Sequence, residues 1–320
     1  MNKLIFTLSL VAAMLLGACT GNKKNDANGN GNDSATAKKD SAMLYVEEED
    51  KTDYSKFIEP PTRIDTVVGD WEIHVRQVYD GSKFKVGKDV YPYYALKCNI
   101  FKGGKPVFKD YKLDTKAIAG SYYAKGMYLG LDSEPVITET SIYLALSYFI
   151  PETDDGTAFM LVLCADGKVR KSEISLISAD GSMEGYVYDI NTFYAMYVNE
   201  LSQPTPNAAA IQKVLSKYCT KGFAQKMHNK TIKNNPLLGP GKFDYQWLRS
   251  LGIHDKGEDN SCIIEFGMPG GKKVYKRLFL QRKPRTEYDF IISGVTDATA
   301  DEVPSTLGEG EGDEEYEGDV

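Results

Sequence analysis

A mainly β, α+β chain is what this 320-residue sequence predicts: an N-terminal antiparallel β-sandwich or barrel-like module, then a small α+β module with helices on a curved antiparallel sheet. Three observations carry the prediction. Segments with period-two alternation of apolar and polar residues recur through the first half, and Gly-Gly and Asp-Gly dipeptides separate them. After residue 205, two stretches with helical spacing precede three strand-like segments.

The alternation is clearest in WEIHVRQVY, where Trp71, Ile73 and Val75 share one face and Glu72, His74 and Arg76 the other, so His74 points to solvent. In YYALKCNIFK, Tyr94, Leu96, Cys98 and Ile100 share a face, and SIYLALSYFI, AFMLVLCA and KVRKSEISLI continue the series. FKGGKP, ETDDGT and ADGK supply turn residues that tolerate positive φ, and KLDTKAIAG predicts one short helix ended by Gly120. These elements define a β-rich module over residues 57–180.

DINTFYAMYVNELSQ spaces Ile190, Phe193, Tyr194, Tyr197 and Leu201 at helical intervals behind an Asp189 cap, predicting a linking helix within 181–204. Thr205 as cap and Pro206 in the first turn begin the next helix, with Ile211, Val214, Leu215 and Tyr218 on one face. Thr220 restarts a short helix carrying Phe223 and Met227. Beyond DYQWLRSLGI, the segments SCIIEFG, KVYKRLFLQ and EYDFIISGV close an α+β module over 205–296.

The amino terminus has a different character. Lys3 precedes a thirteen-residue apolar run from Leu4 to Leu16, well short of the roughly 20 residues a membrane-spanning helix needs. Leu16-Gly17-Ala18-Cys19 ends the run and resembles the lipobox of bacterial lipoproteins. That resemblance implies a signal peptide of residues 1–18, removed on maturation, and a Cys19 thiol carrying diacylglycerol and palmitate-type acyl chains. It places the protein in the bacterial cell envelope, anchored to a membrane, the outer one favoured, with the folded part in the periplasm or at the cell surface. Residues 19–56 are rich in Asn, Gly, Ser, Asp and Lys. With too little apolar surface to offset ordering entropy, they read as a disordered tether, holding the fold about 30 Å from the bilayer by random-coil scaling. Two Asp-Ser-Ala triplets, at 33–35 and 40–42, resemble the short O-glycosylation acceptor used in the envelopes of some gut bacteria, and plain linker composition accounts for them equally well.

The net charge of −7 hides an asymmetry. Residues 205–296 hold sixteen Lys and Arg against seven Asp and Glu, whereas 297–320 hold ten acidic residues and no basic one. The last stretch reads as a disordered acidic tail, either simply solvated or folded back to screen the basic module. Outside the cytoplasm, anionic lipid headgroups or acidic glycans suit a basic module better than nucleic acid does.

VLSKYCTKGFAQKM, the Asp-Tyr-Gln-Trp segment and three closing strands ending in FIISGV resemble the small, cone-shaped nuclear-transport-factor-two-like domains found in bacterial lipoproteins of unknown function. That resemblance covers about 90 residues and implies a pocket between helices and sheet, lined by Tyr218, Trp247, Tyr275 and Tyr288, with His228 or Asp244 as polar group. In the first module, Tyr122, Tyr123 and Tyr128, set among Gly120, Gly126 and Gly130, form the candidate rim for a ligand, since exposed aromatic rings stack on sugar faces.

No catalytic, metal or cofactor site is assigned. The three histidines are far apart and no Cys-x-x-Cys pair occurs. GMPGGKK fails as a phosphate loop because its glycine gap is one residue short and Lys273 replaces the magnesium-binding Ser or Thr. Pro269-Gly270 reads instead as a type II turn. Cys98, Cys164, Cys219 and Cys262 allow disulfides, most simply 98 to 164 and 219 to 262, or four buried thiols. The expected function is a non-enzymatic binding or accessory module with a glycan, protein or surface-polymer partner. The alternatives are an enzyme with an acid-base pocket in the C-terminal module and a structural accessory of an outer-membrane complex.

Overall fold

In a computed structural model of the chain, residues 62–303 are described, apart from 121–125, 133, 152, 154–155, 176–184, 229–233, 241–242, 256–259, 269 and 284–289. Four strands open the fold: β1 (Arg63–Val68), β2 (Trp71–Val86), β3 (Asp89–Lys102) and β4 (Lys105–Leu113) form an antiparallel meander in that order. The turn between β3 and β4 uses Gly103 and Gly104, both at positive φ, as the dipeptide requires. Helix α1 (Thr115–Ala119) follows, capped by Asp114, whose carboxylate accepts from the Ala117 amide at 2.6 Å, and closed by Gly120 at φ 58°.

A second antiparallel sheet contains β5 (Tyr128–Leu131), β7 (Ser141–Phe149), β8 (Gly156–Cys164) and β9 (Val169–Ile174) in that order, with β6 (Val136–Ile137) also pairing β7. Strands β7 and β8 are buried on both faces over most of their length, so they read as near-continuous apolar runs. Leu144, Leu146, Phe159, Leu161 and Leu163 face the first sheet and meet Ile73, Val75, Leu96, Cys98 and Ile100 in a sandwich core. Tyr143, Met160, Val162 and Cys164 face the other way, onto α2 (Gly185–Leu201). Burial of each such large side chain contributes roughly 1.5–3 kcal/mol. Two polar bonds also tie the sheets: Trp71 Nε1 donates to the Thr138 carbonyl at 2.8 Å and Gln77 Nε2 to that of Leu129 at 2.7 Å.

The linking helix is a buried core element. Fourteen of the seventeen residues of α2 are buried, on all sides. Its start precedes the expected Asp189 cap, and Asp189 instead accepts from the Phe290 amide at 3.0 Å. Beyond it lie α3 (Ala208–Tyr218) and α4 (Lys221–His228). Asn207, not Thr205, caps α3, its side chain accepting from the Ala210 amide. Thr220 does cap α4, accepting from the Phe223 amide. A short ribbon of β10 (Asn234–Asn235) and β11 (Gly239–Pro240) and a 3-10 turn over Tyr245–Ser250 lead into the last sheet.

That sheet is antiparallel and ordered β12 (Gly252–Asp255), β13 (Ser261–Gly267), β14 (Lys273–Arg282), β15 (Phe290–Asp297). Its inner face, Cys262, Ile264, Phe266, Leu278 and Ile292, joins α2 in one core with the second sheet. The fold is therefore mainly β with few helices, layered sheet on sheet on helix on sheet, and 57–180 and 205–296 share α2 as a common wall. Residues 297–303, expected to begin the tail, are ordered: β15 runs through Asp297, and a 3-10 turn over Ala300–Glu302 is pinned by an ion pair between Arg277 and Glu302. All four cysteines described are buried thiols. Cys98 lies in the sandwich core and Cys164 on the opposite face of the second sheet, so that sheet separates the pair.

Candidate functional site

The densest polar chemistry lies where the second sheet meets the last turn of α2. Glu200 is completely buried there and accepts three hydroxyl bonds: from Thr138 Oγ1 at 2.7 Å, from Tyr143 at 2.5 Å and from Thr140 Oγ1. Asn199 Nδ2 donates to the Tyr143 hydroxyl at 2.8 Å and to Ser141 Oγ at 3.1 Å. Arg170 on β9 completes the network, donating to Asn199 Oδ1 and Ser202 Oγ, both at 2.8 Å, with its guanidinium 5.4 Å from the Tyr245 ring centre. The strand supplies hydroxyls because Thr138, Thr140 and Ser141 form the tight β6–β7 turn, where small polar side chains also bond local backbone.

Electrostatics at this site oppose ionisation. Burial raises the Glu200 carboxyl above its ordinary value, with the three hydroxyls pulling it partly back. The C-terminal end of a helix is also the wrong end for a negative charge. Burial, followed by the neighbouring Glu200, drives the Tyr143 phenol far above its usual range. A carboxylate with three donors and no exposed surface is suited to clamping sheet to helix, because its partners are satisfied only when both are in place.

The expected site residues are distributed elsewhere. Tyr128 is half-buried between Tyr94, ring centres 5.1 Å apart, and Phe149 at 5.2 Å, the latter 40% exposed. Tyr122 and Tyr123 lie outside the described residues, as do Cys19 and Tyr288. Gly126 sits under the Phe84 ring at φ +67°, and Phe84, Tyr91 and Tyr93 form an aromatic group near the turn of the β2–β3 hairpin.

In the C-terminal half, Tyr218 packs 6.0 Å from Phe193 and borders a void of about 10 Å³ with Asp189, Leu280 and Phe290, room for one water. Trp247 stacks on Phe266 and meets Phe243 edge-on, and among the described residues its indole N–H has no acceptor. Asp244 is exposed and caps the 3-10 turn, accepting from the Gln246 amide at 2.9 Å. Tyr275 is half-buried on β14. His228 ends α4, its side chain outside the described residues. Tyr218 and Trp247 thus pack into different parts of one core. A separate depression of about 310 Å³ between α3 and α4 is lined by Gln212, Ser216, Cys219, Lys221, Ala224 and Gln225.

His74 faces solvent as alternation requires, and there it bridges two carboxylates: Nδ1 to Asp65 at 2.6 Å and Nε2 to Glu72 at 3.1 Å. The bond to Asp65, then that to Glu72, raises its pKa. Among the described residues, no three His, Cys, Asp or Glu side chains group as metal ligands would, and no helix is long and apolar enough to cross a membrane.

The fold and site define a layered, mainly β protein with a buried carboxylate clasp. No protein-family model matches the chain, and no match was found among curated proteins or solved structures.

Proposed function

We propose that this chain is a lipid-anchored protein of the bacterial cell envelope, at the outer membrane, that acts as a non-enzymatic binding or accessory module. Its partner is a protein, a glycan or a surface polymer, and no nucleic acid is involved. The observation that carries the proposal is Leu16-Gly17-Ala18-Cys19 at the end of a thirteen-residue apolar run, followed by a polar stretch with the composition of a tether.

Two of the chain's carboxyl groups have structural roles. Among the described residues, Glu200 is the fully buried carboxyl, enclosed by hydroxyl donors. Asp244, the carboxylate that acid-base chemistry in the C-terminal module would recruit, is exposed and engaged as a cap. Affinity isolation of the membrane-anchored chain from its native envelope tests the proposal. A partner retained in fixed stoichiometry is expected. Turnover of an envelope substrate that disappears in Asp244→Asn would replace binding with catalysis.

A further inference from the structure

On the outer face of the first sheet, strand register gathers charges that are scattered in sequence. Arg63 on β1 lies opposite Arg76 on β2, Arg76 opposite Lys97 on β3, and Lys97 opposite Lys112 on β4. Directly opposed residues share a face, so four cations form one rung across four strands, about 14 Å long at roughly 4.8 Å per strand. Like charges placed directly opposite weaken a sheet. Arg63 is relieved by Asp65 and Lys97 by Asp110 at 3.4 Å, but among the described residues Arg76 and Lys112 hold no ion pair, and both are exposed. Asp65 and Glu72 lie in the neighbouring rungs, where His74 engages both. On the same face of β1, two rungs from Arg63 and opposite Glu72, Val67 is 73% exposed.

We propose that this face docks on anionic lipid headgroups of the bilayer that holds Cys19, an inference that rests on the lipid-anchor proposal above. The position of the rung selects that occupant. Arg63 begins the first strand after the segment read as a tether, so the nearest dense anion is the membrane surface at the tether's other end. Acyl chains and a basic patch act as paired membrane signals, and exposed Val67 suits the headgroup boundary. The uncompensated charge is small, so docking is reversible and orients the fold without fixing it.

The test uses the full chain, with vesicles of phosphatidylcholine alone or mixed with phosphatidylglycerol, at low salt. The ratio of binding to the two vesicle types cancels any contribution of the apolar amino terminus. At about 1 kcal/mol per cation, Arg76→Gln/Lys112→Gln lowers the anionic preference about 30-fold. Arg76→Lys/Lys112→Arg keeps the preference, which separates loss of charge from loss of fold. Lys213→Gln/Lys226→Gln, on exposed positions of α3 and α4, also keeps it. Unchanged preference in the first variant, or equal loss in the α3/α4 variant, overturns the proposal. So does a first variant that loses binding to a polyuronate but not to vesicles, since the occupant is then a glycan. Failure of the anchor reading shows separately, as an unacylated Cys19 by mass with the vesicle ratio intact.

Discussion

Tyr143→Phe probes the buried clasp with the least change of shape. The substitution removes one of three donors to a fully buried carboxylate and one of two acceptors of Asn199 Nδ2, which keeps Ser141 Oγ at 3.1 Å. A hydrogen bond to a charged group is worth about 1.5–3 kcal/mol, and one between neutral groups about 1 kcal/mol. At a pH above the raised folded value, where Glu200 is ionised, the variant loses roughly 2–3 kcal/mol, about 4–10 °C in Tm for a unit of this size. Well below the 4.5 of an unperturbed glutamate, where the carboxyl is protonated folded and unfolded alike, the loss falls to about 1 kcal/mol. The wild type carries the matching signature. Because the folded carboxyl is raised, the native state holds its proton longer than the unfolded chain does. Glu200 thus lowers stability as pH rises from 4.5 through the folded value, then levels off. Melting curves of both proteins in the two pH ranges measure this. Equal losses below 4.5 and above the raised folded value would refute the claim that Tyr143 supports an ionised Glu200.

Further substitutions test other parts of the fold. Arg76→Thr relieves two like-charge oppositions on an exposed strand face and raises stability by a few tenths of a kcal/mol by melting, where a loss would mean that Arg76 has a partner. Gly126→Ala places a Cβ 2.8 Å from the Phe84 ring at φ +67° and costs about 1–2 kcal/mol or more, with the Phe84 side of the hairpin showing faster amide exchange. Alkylation of the native protein leaves Cys98, Cys164, Cys219 and Cys262 unmodified, since burial raises the Cys98 and Cys219 thiols to about 12, and denaturation without reductant exposes all four. The His74 bridge gives stability that is complete below pH 6.5 and is lost as pH rises through the raised folded value, so His74→Gln flattens that decline.

Much of the architecture was legible because one face of a strand or helix met water. WEIHVRQVY alternates cleanly since β2 has the sandwich core on one side and solvent on the other. Gly103-Gly104, Gly120 and Thr220 announced a turn, a helix end and a helix start through local chemistry that needs no tertiary partner. Helix α2 misled for the opposite reason. Its Asn191, Asn199 and Glu200 look like a solvent face, and only contacts with strands and loops distant in sequence make them buried. The clasp was missed likewise, since Glu200 bonds residues 57 to 62 positions away. Its one local signal was a cluster of hydroxyl residues, Thr138, Thr140, Ser141 and Tyr143, opening an otherwise apolar strand. The cationic rung was hidden because it runs across the chain direction, one residue per strand.

The anchor at Cys19 is tested most directly by the amino-terminal mass of the chain isolated from its native membrane. A mature protein beginning at Cys19 with acyl chains on that residue, and released from the membrane fraction when Cys19 is replaced by Ala, is the predicted result. A chain that retains residues 1–18, or begins at another residue without lipid, would contradict it.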